Sequence, residues 1–147
     1  MSKRLLIVAH APSENTLSLR AAVERGARSE TGLDIRVVAP LQAGPDDVLA
    51  AQAIILGTTE NLGYMSGALK DFFDRSYNAC LEKTQGMPCA LYIRAGSDGT
   101  GTRRRRALAR DHLKRFNIEA RAALLSYSNF GSRDGDSAFK MREASRL

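Results

Sequence analysis

Residues able to do chemistry gather in three polar or glycine-rich stretches of this sequence. The first runs from Ala11 to Thr16, with Ser18 just beyond, at the start of a helical segment. A helix N-terminus leaves backbone N–H groups without acceptors. Ser13, Asn15, Thr16 and Ser18 add hydroxyl and amide groups, and together these make a site for a phosphate. A plain helix cap with Thr16 or Asn15 at the N-cap accounts for the same residues, and this stretch alone favours it. There is no glycine-rich P-loop with its lysine, so hydrolysis of a nucleotide triphosphate is not supported. The second stretch is Gly57 to Tyr64 and the third Ala95 to Thr102, which carries Gly96, Gly99 and Gly101.

Outside these stretches the sharpest chemical feature is the run Arg103-Arg104-Arg105-Arg106, followed by Arg110, Lys114 and Arg115. Four cations near a helix start oppose the helix dipole. Successive residues fan around a helix, so at most two of the four point the same way. A solvated face partnered by Asp98, Asp111 or Glu119 explains the run. So does an anion site, at Arg103 and Arg104, for the 2′-phosphate of NADPH or for an acidic partner. Nucleic acid is a poorer match, because the run has no interleaved aromatics and no binding module accompanies it. His10 and His112 form no Ser-His-Asp or Cys-His pairing that spacing can support. Cys80 and Cys89 have no second Cys or His pair at metal-ligand spacing, so no metal site is expected; one disulfide between them is an open alternative, and two buried thiols are the preferred reading.

The elements that must position these stretches alternate regularly. Leu5 to Ala9 is a continuous apolar run, as expected of a parallel strand covered on both faces. A helix follows from about Thr16 to Glu30, with Leu19, Val23 and Ala27 on its apolar face and Gly32 as the stop. Ile35 to Ala39 is the second strand, and Pro45-Asp46-Asp47 opens a short helix. Ala53 to Leu56 is the third strand, stopping at Gly57. A helix from about Ser66 carries Met65, Leu69, Phe72, Ser76 and Cys80 on one side. Cys89 to Ile93 is the fourth strand, Arg103 to Phe116 a helix, and Ile118 to Tyr127 the fifth strand. Ser137 to Leu147 reads as a short last helix or a frayed tail. Five strands alternating with helices predict a parallel sheet. No repeat or linker interrupts them, so residues 1–147 are expected to form a single domain. In such a sheet the loops leaving the carboxyl ends of the strands meet at one edge, where ligands bind.

The second stretch also carries a family resemblance. Gly57 leads into Thr58-Thr59-Glu60-Asn61-Leu62-Gly63-Tyr64, and then come Met65-Ser66-Gly67, Leu69-Lys70, Phe72-Phe73 and Asp74-Arg75. In order and spacing this resembles the NADPH-dependent FMN reductases and flavodoxin-like NAD(P)H:quinone oxidoreductases, and strand and loop order extend the likeness over nearly all of the chain. The resemblance implies an α/β flavodoxin-like three-layer sandwich with a five-stranded parallel sheet in the order 2-1-3-4-5. It implies that Ser13, Asn15 and Thr16, with Ser18 nearby, hold the FMN phosphate. Thr58, Thr59, Glu60, Asn61, Leu62, Gly63 and Tyr64 would line one side of the isoalloxazine, and Gly96, Ser97, Asp98 and Gly99 would close the other. Glycines let backbone N–H groups approach the ring edge, where reduced flavin carries negative charge. The chain departs from the family at Glu14, where flavodoxins usually place glycine. It also departs at Thr59 and Asn61, where relatives often carry proline and an aromatic residue.

The implied activity is that of a flavoprotein oxidoreductase in which the flavin carries the chemistry. Reducing equivalents would pass from NAD(P)H to a quinone, a free flavin or a similar small acceptor. A flavodoxin-type electron carrier with an acidic redox partner, and a cofactor-free interaction module, remain as alternatives. Relatives of this kind often form homo-oligomers, and one is expected here. Composition agrees with an ordinary globular protein: 147 residues, 44% hydrophobic and 26% charged, with a net charge of +6. No apolar run approaches the roughly 18 residues of a membrane span. The five apolar residues after Lys3-Arg4 fall short of the roughly seven to fifteen of a signal peptide. A cytoplasmic protein without membrane or nucleic-acid partners is the expectation.

Overall fold

The computed structural model describes residues 2–95 and the backbone of residues 120–124. Strand β1 (Lys3–Ala9) is an interior strand of the sheet. It pairs in parallel with β2 (Leu33–Val38) on one side and with β3 (Ala53–Asn61) on the other. Because β1 is covered on both faces, Leu6, Ile7 and Val8 are all 0% exposed, which is why its apolar residues run without alternation. Leu6 and Val8 join one core beneath α2 (Pro45–Leu49) and α3 (Gly67–Cys80), together with Ile54, Leu56, Leu69 and Phe72. Ile7 and Ala9 face the other core, beneath α1 (Glu14–Arg28), with Ala27, Tyr92, Leu19 and Val23. Each fully buried aliphatic side chain in these cores contributes about 1.5–3 kcal/mol.

Beyond β3 the sheet continues with β5 (Cys89–Arg94) and β6 (Ala120–Leu124), both parallel. The order β2-β1-β3-β5-β6 is the expected 2-1-3-4-5 order of a flavodoxin-like sandwich. The short strand β4 (Tyr64–Met65) is an antiparallel addition to β3 that the sequence reading lacks. Helix α3 buries Leu69, Phe72, Ser76 and Cys80, the side expected from its spacing. Its Arg75 donates from Nη1 to Ala43 O and from Nη2 to Pro40 O, both at 2.8 Å, tying the helix to the turn after β2. The short helix α2 is held to β2 by the Arg36–Asp47 pair at 2.6 Å, and Asp47 also accepts the Gly44 N–H at 3.0 Å.

Several boundaries differ from expectation by one or two residues, as at β1, β2 and the end of α1, and two differences bear on the site. Helix α1 begins at Glu14, with Ser13 rather than Thr16 or Asn15 at the N-cap. Strand β3 does not stop at Gly57 but passes through it to Asn61. Gly57 pairs with Ala9 on one side and Tyr92 on the other, and the Tyr92 ring lies across it. A Cβ at Gly57 would sit 2.2 Å from a Tyr92 ring carbon and 2.3 Å from its hydroxyl oxygen. Glycine is therefore required here to admit a ring, and the backbone remains extended. Burial moves the Tyr92 hydroxyl upward in pKa, partly offset by the Arg20 charge, and among the described residues it has no hydrogen-bond partner.

Gly57→Ala is expected to lower stability by about 1–3 kcal/mol, as overpacking does. Shortening the obstructing ring with Tyr92→Leu should reduce the cost of the alanine. Urea unfolding of the two single variants and the double variant reads this coupling, and strictly additive effects would refute the contact. A second expectation concerns the free, buried thiol of Cys89, which burial pushes up to about 12. An unfolded thiol ionises near 8.5, so the native state gains from Cys89 below that pH and loses the gain as pH rises toward about 12. Urea unfolding from pH 8 to 11 should show a steeper fall for the native sequence than for Cys89→Ala.

Candidate functional site

β1 ends at Ala9 beside Gly57 of β3, and just past it His10 N donates to Gly57 O at 2.9 Å. On one side β1 neighbours β2, and on the other β3 leads to β5, so the winding order reverses between β1 and β3. A crevice outside such a reversal is where doubly wound sheets bind ligands. The first stretch leaves β1 at this point and the second continues β3 past it, so the fold brings both to one edge. Strand β5 ends there too, with Arg94 in register with Thr59, and the third stretch starts from it at Ala95.

At the first stretch the local sequence builds a closed cap. Ser13 is extended at φ −138°, and its N–H donates to Thr16 Oγ1 at 2.9 Å. The Thr16 hydroxyl donates back to Ser13 O at 2.8 Å, and Ser13 Oγ lies 3.1 Å from Thr16 Oγ1. Thr16 is buried, and its hydroxyl is spent within the cap. Ser13, Asn15 and Ser18 are exposed. The first helical hydrogen bond is Leu17 N to Ser13 O at 2.8 Å. The N–H groups of Glu14, Asn15 and Thr16 thus have no acceptor within the helix, at the positive end of its dipole. Glu14 is exposed in that first turn, where the dipole favours a carboxylate.

The second stretch is a hairpin. Glu60 faces Met65 and Asn61 faces Tyr64 across the β3–β4 ladder. Between them Leu62 (φ 51°) and Gly63 (φ 77°) both adopt the left-handed region, which a type I′ turn requires. Leu62 stands fully exposed at the tip, although a leucine tolerates this conformation less well than glycine. Thr58 and Thr59 turn inward. The Thr58 hydroxyl accepts the Ser66 N–H at 3.0 Å, donates to Thr59 O at 2.9 Å and touches Ser66 Oγ at 3.2 Å. Ser66 Oγ in turn accepts the Leu69 N–H at 3.3 Å, capping α3. Thr59 Oγ1 donates to Asn61 Oδ1 at 3.0 Å. Thr58, Thr59 and Ser66 therefore form a buried brace that fixes the hairpin to α3. Asn61, Leu62 and Gly63 are exposed, with Glu60 and Tyr64 half-buried beside them.

Gly96, Ser97, Asp98 and Gly99, together with Arg103 and Arg104, lie outside the described residues, as does the helix expected at 103–116. The sequence reading missed the hairpin and the roles of Ser66 and Tyr92. Two β-branched residues after Gly57, and Leu62-Gly63 ahead of Tyr64, are the signals that could have shown the hairpin. Among the described residues no helix is long and apolar enough to cross a membrane.

This geometry is that of the flavodoxin-like fold. The chain superposes on the solution structure of two-electron reduced Megasphaera elsdenii flavodoxin with a TM-score of 0.70 and 17% identity, covering 96% of this chain and 97% of that one. A flavodoxin of Aquifex aeolicus is 28% identical over 98 residues, which is 67% of this chain and 53% of the relative. A second relationship has no flavodoxin in it. The family model described as phosphate acetyl/butaryl transferase matches residues 107–147. An NAD-dependent malic enzyme of Rhizobium meliloti is 60% identical over 40 residues, and an NADP-dependent malic enzyme of Escherichia coli 55% identical over 40. Each of those matches covers 27% of this chain and 5% of the enzyme. The chain thus spans about half the length of the flavodoxin and about a twentieth of each malic enzyme.

The brace is directly testable. Thr58→Val removes the acceptor of the buried Ser66 N–H and should cost about 1–3 kcal/mol, whereas Thr58→Ser keeps the hydroxyl and should cost less. Thermal unfolding of the two variants checks this, and equal losses would show that the hydroxyl does not matter.

Proposed function

We propose that the chain binds FMN at the β1/β3 edge and works as a flavin-dependent redox protein. The observation that carries this reading is the convergence of the α1 N-terminus and the β3–β4 hairpin on one crevice at the reversal of strand order. The residues present suit the group. Three helix N–H groups without intrahelical acceptors, flanked by exposed Ser13 and Asn15, are a phosphate cradle. Glycine at the hairpin turn leaves backbone donors accessible to the ring edge. The exposed Glu14 is compatible provided its carboxylate remains in solvent.

Bound FMN would supply the hydride or single-electron chemistry. The protein's own work is then to hold and shield. The N–H groups of Glu14, Asn15 and Thr16 would bind the phosphate, with Ser13, Asn15 and Ser18 beside them. Asn61 to Tyr64 would border the ring, held in place by the Thr58–Ser66 brace. Gly96 to Gly99 would approach from the end of β5. NAD(P)H is the proposed reductant, with Arg103 and Arg104 proposed for its phosphate, and the acceptor a quinone, flavin or similar molecule. A cytoplasmic homo-oligomer is proposed with it. The relatives named flavodoxin favour a second reading, an electron carrier matched to an acidic partner by the charge of +6.

Titration of the purified protein with FMN should quench flavin fluorescence to saturation. Asn15→Asp, which adds a carboxylate to the cradle, should weaken binding at least about fivefold, or about 1 kcal/mol. No quenching by the native sequence would sink both redox readings. Anaerobic bleaching of the bound flavin by NADPH supports the reductase, and binding without bleaching supports the carrier.

A further inference from the structure

We infer that the β2 edge of the sheet is an interface for a second copy of this chain, paired with it strand to strand, antiparallel and centred on Ile35. The inference rests on the homo-oligomer proposed above and names its contact. Strand β2 is the last strand on its side of the sheet and pairs with β1 alone. Its outer side presents N–H and C=O groups that no strand of this chain takes up, a template for a strand from elsewhere.

The sequence of β2 commits that edge to a second copy. The strand begins Leu33-Asp34-Ile35-Arg36-Val37. Two copies related by a twofold axis perpendicular to the sheet at Ile35 set Ile35 opposite Ile35, Leu33 opposite Val37 and Asp34 opposite Arg36. The faces agree as well. Ile35 and Val37 pack in the core beneath α1, whereas Arg36 reaches Asp47 of α2 on the opposite face. Apolar residues therefore meet apolar residues on one face, and carboxylate meets guanidinium on the other, as the stabilising cross-strand pairs of an antiparallel ladder do. Moving the axis by one residue sets Asp34 against Asp34 or Arg36 against Arg36, which is destabilising. Charges on an edge strand ordinarily deter pairing. Here they deter the neighbouring registers and admit one.

Both charges have bonding capacity left. Asp34 accepts Arg4 through Oδ2 at 2.7 Å, and Arg36 donates from Nε to Asp47 Oδ1 at 2.6 Å. Asp34 Oδ1 and the Nη groups of Arg36 have no partner among the described residues. The two side chains are 43% and 49% exposed, so a second partner can be added without breaking the first. The apolar residues also have surface to bury. Leu33, Ile35 and Val37 are half-buried, whereas Leu6, Ile7 and Val8 of the enclosed β1 are 0% exposed. Antiparallel pairing points the carboxyl edges of the two protomers in opposite directions, and β1 separates β2 from the reversal of strand order. Each candidate site therefore stays within its own chain.

Sedimentation equilibrium of the full chain over a dilution series, without flavin, tests the interface. The native chain should pass from dimer to monomer on dilution, since one strand pair is a small contact. Asp34→Arg and Arg36→Asp each set like charges opposite one another, and each should raise the dimer dissociation constant at least about tenfold. Each variant loses only an exposed ion pair, so circular dichroism should show both folded. Mixed in equal amounts, the two variants face each other with opposite charges at both positions and should associate as a heterodimer close to native strength. Single variants that dimerise like the native chain, or a mixture that remains monomeric, would overturn the interface and leave the homo-oligomer standing. A native chain that is monomeric throughout overturns both. No measurement involves FMN, so the redox reading is tested separately.

Discussion

The parallel pairing of β1 with β3 is the contact on which the rest of the molecule depends. It joins segments nearly fifty residues apart and makes β1 a strand with neighbours on both sides and cores on both faces. A strand so enclosed must be apolar throughout, which accounts for Leu5 to Ala9. The same pairing sets the site. Because β1 ends beside Gly57 while β3 runs on to Asn61, the start of α1 and the extension of β3 must share one edge of the sheet, whichever ligand it takes. Moving the β3 register by one residue would exchange Ile54 and Leu56 with Ile55 and Gly57 between the two cores. The Tyr92 ring would then have no glycine to lie across. The register is thus enforced along the first half of β3, by aliphatic packing at Ile54 and Leu56 and by Gly57 at its middle.

Glycine at position 57 shows where reading along a sequence fails. Taken locally, a glycine after four apolar residues marks the end of a strand. Its cause is a tyrosine on the adjacent strand, 35 positions away, and nothing local announces that ring. The helix start failed in a milder way. Ser13, Asn15 and Thr16 are all acceptable caps, and which one is used depends on Thr16 closing back on Ser13, a matter of three-dimensional geometry. By contrast, the buried side of α3 was legible in full, because helical spacing is a local property. So was the strand order, through the resemblance of Met65 to Arg75. That stretch turns out to owe much of its character to structure, with Ser66 capping α3 and Arg75 gripping the carbonyls of Pro40 and Ala43.

The proposed site residues divide in the same manner. The residue types at 58–64 suggested a row of contacts on a ring. The structure sorts them by the alternation of an extended chain and the demands of a turn. Thr58 and Thr59 are consumed in the brace, and the exposed positions fall at the tip. Threonine suits this duty because its β-branched shape favours a strand while its hydroxyl satisfies the buried Ser66 N–H. A family motif read from sequence therefore mixes residues that would touch a ligand with residues that hold those in place. Only the hydrogen bonds tell them apart.

The last strand raises a harder point about what an alternating pattern means. Five apolar segments separated by helical ones were enough to suggest a complete doubly wound sheet, and the structure places a fifth strand where that pattern requires it. Yet residues 107–147, which take in that strand, match the family model described as phosphate acetyl/butaryl transferase. Periodicity reports that a segment can form a strand, and an open sheet edge reports that a strand can be added. Neither reports that the two evolved together. The core pairing of β1 with β3 is specified by both backbone and side chains, since Leu6, Val8, Ile54 and Leu56 all enter one core.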